Sequence, residues 1–221
     1  MSRFDHPSDA TDGRAPIPDR LSFKAMREAV QGCRACELYE SATQAVMGTG
    51  PHPGKARLML VGEQPGDRED IEGKPFVGPA GRVLDDGLAR AGIARDDAYI
   101  TNAVKHFRYK LRGKRRIHQT PERLHVAACR PWLDAERSLV KPEALVCLGA
   151  TAAQALLGSS VRIGRDRGRP MESDLAPLVM ITTHPSAILR QRDEGERAAA
   201  MNDFVADLQR VADWLAEHER A

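Results

Sequence analysis

The chain has 221 residues, of which 42% are hydrophobic and 29% charged, and its formal net charge is +2. This length suits one compact domain with a full apolar core, and the composition is ordinary for a soluble globular protein. No apolar run reaches the roughly 18–20 residues that a membrane-spanning helix needs, so we expect no membrane partner. The small net charge does not exclude nucleic-acid binding, because charge can be concentrated locally.

The first twenty residues are polar and contain Asp, Pro, Gly and Arg without an apolar stretch. This pattern is typical of neither a signal peptide nor an amphipathic transit helix. We predict that residues 1–20 are a disordered lead-in, that residues 21–221 form a single domain, and that the protein is cytoplasmic and monomeric.

Apolar periodicity predicts alternating helices and strands after this lead-in. In chain order these are a helix over 22–31, a strand over 57–61, a helix over 81–91, a strand over 98–104, a helix over 121–139, a strand over 144–149, a helix over 150–157, a strand over 178–183 and a helix over 194–217. The alternation predicts an α/β fold, a three-layer α/β/α sandwich with a central, mainly parallel four-stranded sheet.

Polar side chains stand at the ends of the predicted strands. Glu63, Gln64 and Asp67 follow the first strand, Asn102 lies near the end of the second, and His184 follows the last. Ligands of parallel α/β sheets bind at the carboxyl ends of the strands. We therefore expect these residues to share one edge of the sheet.

A basic stretch leaves the second strand at the same edge. Seven Lys or Arg residues and no acid lie between Lys105 and Arg116. Such a run is most often a solvated surface, but this position favours contact with a nucleic acid. We predict that Lys114, Arg115 and Arg116 bind backbone phosphates.

The chain has four cysteines. Cys33 and Cys36 form a Cys-x-x-Cys pair, whereas Cys129 and Cys147 lie far downstream and are separated by 17 residues. A Cys-x-x-Cys pair favours metal binding, but the second pair lacks the close spacing that zinc ribbons use. Spacing alone leaves an iron–sulfur cluster, a zinc site and four thiols without metal as open alternatives.

Four motifs, in this order, resemble those of the uracil-DNA glycosylase superfamily and are closest to its iron–sulfur group, family 4. They are GEQPG at 62–66, GKPFVGPAG at 73–81, TNAVK at 101–105 and HPS at 184–186. Family 4 enzymes usually have Ala in place of Gln64 and lack an insertion such as RGKRRIH at 112–118. Both features resemble the UdgX type, which bonds covalently to uracil-containing DNA.

The resemblance implies uracil-containing DNA as the partner and uracil as the product. It implies that Phe76 stacks on the flipped base, that Asn102 recognises the uracil edge, and that His184 donates a hydrogen bond to O2 of the leaving uracil. Core packing for Phe76 and a capping role for Asn102 are the alternatives. It further implies a [4Fe–4S] cluster held by four thiolates, those of Cys33, Cys36, Cys129 and Cys147.

Within the UdgX-like segment, His118 is the candidate nucleophile. A neutral imidazole can attack C1′ of the sugar, and Glu63 would orient the ring and take its proton. Gln64 and Asp67 would hold the loop or a water in the substrate site, and Ser186 would bind a phosphate. The alternatives are an ordinary hydrolytic glycosylase, in which His118 only contacts DNA, and a non-catalytic iron–sulfur DNA-binding protein.

Overall fold

The computed structural model describes residues 14–51 and 55–218. Its helices are α1 (Phe23–Gln31), α2 (Leu38–Ser41), α3 (Asp67–Glu72), α4 (Pro79–Arg90), α5 (Arg123–Val140), α6 (Ala150–Leu157), α7 (Ile163–Asp166), α8 (Pro185–Leu189) and α9 (Glu194–Glu217). Its strands are β1 (Leu58–Gly62), β2 (Ala98–Asn102), β3 (Tyr109–Arg112), β4 (Arg115–His118), β5 (Ala144–Leu148) and β6 (Leu178–Thr182). Within the described ranges, no helix is both long and apolar enough to span a membrane.

The predicted central sheet is confirmed. It has four strands in the order β2-β1-β5-β6, and every neighbouring pair is parallel. Alternate residues point to opposite faces, so Leu58 and Leu60 pack with α4 and α9, whereas Met59 and Val61 pack with α5 and α6. Helices thus cover both faces, which explains why the four strands are buried along their whole length.

The second strand is shorter than predicted because the chain turns after Asn102. The backbone N–H groups of Ala103 and Val104 donate to the carbonyl oxygens of Gly62 and Glu63, at 2.9 and 3.0 Å. Through these bonds, the chain after β2 crosses the carboxyl end of β1. The segments that follow β1 and β2 are therefore fastened together at the carboxyl edge of the sheet.

Much of the basic stretch forms a β-hairpin outside the main sheet, which the sequence did not predict. Strands β3 and β4 are antiparallel and pair Tyr109 with His118 and Leu111 with Arg116. Gly113 has a φ of 60° and opens the two-residue turn between them, where a positive φ suits hairpin twist. The hairpin, rather than an irregular loop, carries His118.

The predicted lead-in falls partly outside the described residues, which begin at residue 14. Ala15 and Ile17 belong to no helix or strand but are partly buried against the cluster that contains Met26, Val30 and Trp132. The chain just before α1 therefore packs on the domain.

Candidate active site

A cavity of about 740 Å³ opens at the carboxyl edge of the central sheet. It lies beside the ends of β1, β2 and β6 and beside the hairpin. Eight residues that the sequence singled out line it: Glu63, Gln64, Asp67, Phe76, Asn102, His118, His184 and Ser186. Residues from four separate sequence motifs therefore meet in one place.

The floor of this cavity is built around Asn102. Its side chain is 2% exposed, and its Oδ1 has no hydrogen-bond partner among the residues that the structure describes. A Cβ on Gly62 would lie 2.4 Å from this Oδ1 and 2.6 Å from the Phe76 ring. Glycine at 62 thus leaves room for an amide acceptor whose partner would come from a ligand, because buried polar atoms are normally satisfied.

Phe76 contributes both to the apolar core and to the cavity wall. Its ring is 5% exposed and its centroid lies 5.9 Å from that of His184. Its φ of 54° is in the left-handed region, which costs on the order of 1–3 kcal/mol for a residue other than glycine. The close approach of Gly81, where a Cβ would lie 1.9 Å from the Phe76 carbonyl oxygen, holds this conformation.

A buried ion pair supports Asn102 from behind. Lys105 is 1% exposed, and its Nζ donates to the Asn102 carbonyl oxygen at 2.7 Å and to Glu136 Oε2 at 2.5 Å. Glu136 also accepts from the Thr101 hydroxyl. Lys105, the first residue of the basic stretch, is therefore buried and does not belong to a solvated surface. The sequence analysis did not identify Glu136. The available signal was an acidic residue on α5, the helix that also buries Trp132.

His184 is held in one tautomer at the beginning of α8. Its Nδ1 accepts from the Ser186 backbone N–H at 3.1 Å and lies 2.8 Å from Ser186 Oγ, so the ring proton is on Nε2. Burial lowers the pKa of His184 to about 4, with Arg190 and His118 adding to the fall and Glu63 opposing it. A neutral ring with a free Nε2–H can donate to a ligand.

Ser186, for which we predicted a phosphate contact, bonds within the protein in this structure. Its hydroxyl lies between His184 Nδ1 and Arg190 Nη1, the latter at 3.0 Å. The backbone N–H of Ser186 donates to His184 Nδ1, and the hydroxyl lies within hydrogen-bond distance of the same nitrogen. Ser186 therefore sets the tautomer of His184.

Glu63 and His118 lie together on the rim of the cavity. His118 Nε2 is 3.3 Å from Glu63 Oε1, and the other carboxylate oxygen accepts from the hydroxyl of Thr151 in α6. The His118 side chain is 48% exposed, whereas that of Glu63 is 20% exposed. Sequence reasoning missed Thr151, since only the fold brings the start of α6 next to β1.

The carboxyl of Glu63 has a pKa below its ordinary value. Burial raises the pKa, but hydrogen bonds from His118 and Thr151, together with the charges of His118 and His184, outweigh burial. Glu63 is therefore a carboxylate at neutral pH and can accept a hydrogen bond from the His118 imidazole.

Gln64 ties both ends of the hairpin to the loop after β1. Its Oε1 accepts from Arg108 N at 3.0 Å, and its Nε2 donates to the carbonyl oxygens of Arg108 and Gln119 at 3.1 and 3.0 Å. Both amide hydrogens are used. Gln64 therefore holds the hairpin, which is one of the roles expected for it, and its contact with the substrate stays a prediction.

Arg116 also fastens the hairpin to the domain. It donates from Nε to Asp67 Oδ1 and from Nη1 to Asp70 Oδ2, both at 2.5 Å, and its side chain is 17% exposed. Its guanidinium carbon lies 5.2 Å from the centroid of the Tyr109 ring. Arg116 and Asp67 thus bind each other in this structure, and the phosphate contact of Arg116 and the substrate contact of Asp67 stay predictions.

Lys114 and Arg115 remain as the exposed cations of the predicted phosphate-binding group. They lie at the turn and at the start of β4 and are open to solvent. Their position beside His118 on one hairpin suits contacts with a strand whose nucleotide enters the cavity.

Three of the four cysteines lie near one another. Cys36 and Cys129 pack in one cluster with Leu38 and Val104. Burial raises the pKa of Cys129 to about 12, and interactions with Cys36 and Cys33 add to this rise. Among the described residues, no three His, Cys, Asp or Glu side chains converge as a single metal ion requires. The ligands of a four-iron cluster instead lie around the cluster and do not converge on one metal ion.

Cys147 does not fit the predicted ligand set, which is a correction. Strand alternation places its side chain in the core between the sheet and α6, with Val61, Ile181, Ala152 and Ala153. It is 0% exposed, and burial alone raises its pKa to about 12, without a contribution from another thiol. Close apolar packing leaves no space for a cluster there.

Comparison with known proteins gives consistent matches over most of the chain. A model of the uracil DNA glycosylase superfamily matches residues 48–209. The type-4 uracil-DNA glycosylase of Thermotoga maritima is 38% identical over 183 residues, which cover 82% of this chain and 91% of that protein. The type-4 uracil-DNA glycosylase of Pyrobaculum aerophilum is 34% identical over 191 residues, covering 82% and 93%.

Proposed function

Because the chain belongs to the uracil-DNA glycosylase superfamily, we propose that it excises uracil from DNA and that His118 then bonds covalently to C1′ of the abasic site. Excision follows from the family and from relatives named type-4 uracil-DNA glycosylases. Covalent capture, which would make this a UdgX-type enzyme, is the finer part of the proposal. One observation carries it: the His118 ring lies on the cavity rim with Nε2 3.3 Å from Glu63 Oε1.

Recognition of uracil uses the amide of Asn102. Its unpartnered Oδ1 can accept from N3–H of the base, while its amide hydrogens can donate to O4. Cytosine presents the opposite pattern at these two positions and would leave both sides unpaired, which strongly disfavours it. Phe76 supplies the apolar wall against which the extruded base packs.

Cleavage of the bond between C1′ and N1 leaves negative charge on uracil and positive character on the sugar. His184 donates from Nε2 to O2 of the leaving base, and it is suited to this because Ser186 fixes its tautomer. The carboxylate of Glu63, close by, favours the cationic sugar. Both groups act where charge develops.

Capture follows if the imidazole reaches C1′ before water does. In the tautomer that donates one ring proton to Glu63, the other ring nitrogen has a free lone pair for attack. The N–C1′ bond forms as the C1′–N1 bond breaks, the imidazole proton passes to Glu63, and the departing uracil takes up a proton. A neutral alkylimidazole is a poor leaving group, so the enzyme stays attached after one turnover.

An iron–sulfur cluster is also part of the proposal. Cys33, Cys36 and Cys129 lie together, as a shared cluster requires, and they would supply thiolate ligands. Such a cluster would tie the segment after α1 to the N-terminal half of α5. We assign the cluster a structural role, because it would lie outside the cavity that contains Asn102 and His184.

A denaturing gel with a uracil-containing single-stranded oligonucleotide tests the proposal. We expect a protein–DNA band that survives denaturation, with no more than one DNA molecule attached to each enzyme molecule. His118→Gly should abolish the band and allow water to turn the enzyme over, whereas Lys114→Gln, a change on the same hairpin, should keep the band. Abasic product in molar excess from the unaltered protein would instead support conventional multiple turnover. Unchanged oligonucleotide would refute excision itself.

A further inference from the structure

His106 is a buried histidine that the proposed reaction does not use. It follows the turn after β2, and it is 5% exposed. Its imidazole makes no hydrogen bond or ion pair with the described part of the chain, and its electrostatic neighbours are Asp70 and Arg34. Arg34 stands between Cys33 and Cys36 in the sequence. A nearly buried ring without a protein partner, beside this cysteine pair, is available to bind a ligand.

The neighbouring backbone already contacts a cysteine of this group. The N–H of Lys105 donates to Cys129 Sγ at 3.4 Å, and His106 is the next residue. Val104, one residue earlier, packs with Cys36 and Cys129. The turn after β2 therefore contacts the cysteine group at Cys129 and Cys36.

Cys33 completes the group from the other side. Trp132 follows Cys129 by three residues on α5, so both side chains lie on one face of that helix. The Trp132 indole N–H donates to Cys33 Sγ at 3.3 Å. Cys33, Cys36 and Cys129 are thus arranged around one region, with the turn that carries His106 next to it.

The two other candidates for a fourth ligand are occupied elsewhere. Cys147 lies in the core between the sheet and α6, away from the other thiols. His125, on α5, uses both ring nitrogens: Nδ1 accepts from Glu122 N at 2.9 Å and Nε2 lies 2.6 Å from Glu37 Oε1. This leaves His106 as the histidine in this region whose ring has no partner among the described residues.

We propose that His106, and not Cys147, is the fourth ligand of the [4Fe–4S] cluster, together with Cys33, Cys36 and Cys129. The inference rests on the proposed cluster and is independent of uracil excision. One neutral ring nitrogen replaces one thiolate, so the cluster and its ligands carry one negative charge fewer. Histidine ligation of this kind raises the reduction potential of Rieske centres relative to all-cysteine clusters.

Iron and acid-labile sulfide counts on anaerobically purified variants of the full chain test the ligand set. We expect Cys147→Ala and the bulkier Cys147→Val to keep the iron content and visible absorbance of the unaltered protein. Cys129→Ala and His106→Ala should lose at least half of the iron. His106→Cys should restore it, because a thiolate can replace the imidazole at the same position.

Pulsed electron paramagnetic resonance of the dithionite-reduced protein gives a second, direct readout. The cluster signal should show coupling to nitrogen that changes when histidine is labelled with ¹⁵N, and His106→Cys should remove it while shifting the reduction midpoint to a more negative potential. Loss of iron in the Cys147 variants with full iron in His106→Ala would overturn the inference, as would a colourless protein that contains zinc. Uracil excision, measured on the same samples, tests the proposed function separately.

Discussion

Nε2 of His118 lies 3.3 Å from Oε1 of Glu63, although the two residues come from different parts of the fold. Glu63 follows β1, and His118 ends the hairpin strand β4. Thr151, from α6, binds the second oxygen of the same carboxylate. The carboxylate is therefore held from two sides, and it in turn orients the imidazole at the rim of the cavity.

Removal of the Thr151 hydroxyl should raise the pKa of Glu63. Thr151→Val keeps the shape of the side chain but removes a hydrogen bond that favours the charged carboxylate. The bonds to this carboxylate stabilise the fold above its ordinary pKa, and that contribution is lost as the pH falls through the lowered value. In Thr151→Val this contribution should be smaller, and its loss should be complete at a higher pH.

Carbon-13 NMR titration of glutamate carboxyls checks this, with Glu63→Gln to assign the resonance. Ser138→Ala, which removes an exposed hydroxyl bonded within α5, is the control. An unchanged titration of Glu63 in Thr151→Val would show that the hydroxyl does not stabilise the carboxylate.

Glu63→Gln should slow covalent capture with little effect on DNA affinity. The amide can still contact His118, but it cannot take up the imidazole proton. Loss of a proton acceptor in a transition state typically costs about 10²–10⁴-fold in rate. Single-turnover band formation gives the rate, and fluorescence anisotropy with a non-cleavable DNA gives the affinity. Equal losses in both would mean that Glu63 only shapes the binding surface.

Gln64→Ala should release the hairpin from the domain. It removes three hydrogen bonds to the backbone of Arg108 and Gln119, each worth about 1 kcal/mol. Trypsin cleavage after Lys114 or Arg115 should become about tenfold faster, and capture should weaken more than excision. Gln119→Ala is the matched control, because within the described ranges its side chain bonds to the carbonyls of Ile117 and His118 and to no residue outside the hairpin segment. Similar cleavage rates in both variants would contradict the anchoring role.

Lys105→Met should destabilise the domain strongly. It leaves Glu136, which is 0% exposed, without its cation, and loss of one partner of a buried pair costs about 3–5 kcal/mol. Urea unfolding under anaerobic conditions measures the free energy of unfolding. Adding Glu136→Gln should recover part of the loss, because the uncompensated charge disappears. A loss below about 1 kcal/mol would mean that water reaches the pair.

The sequence determined the layers and the edge at which the site lies. Apolar runs of five residues separated by helical periodicity are enough to predict a parallel sheet covered on both faces, and the carboxyl-edge rule then groups Glu63, Asn102 and His184. Its local patterns could not show that Arg116, Gln64 and Ser186 are bonded within the protein. A polar side chain has the same signature in sequence whether its partner is DNA or another residue.

Only the tertiary structure decided which residues meet across long separations. The family resemblance implies Cys147 as a cluster ligand, but alternation along β5 turns its side chain into the core. His106 and Glu136 carry no motif, and they gain significance because the turn after β2 passes α5. Thr151 reaches Glu63 because β1 and β5 are neighbours in the sheet. Composition and periodicity fix local geometry, whereas such contacts depend on how strands pair, and pairing is set by packing of the whole chain.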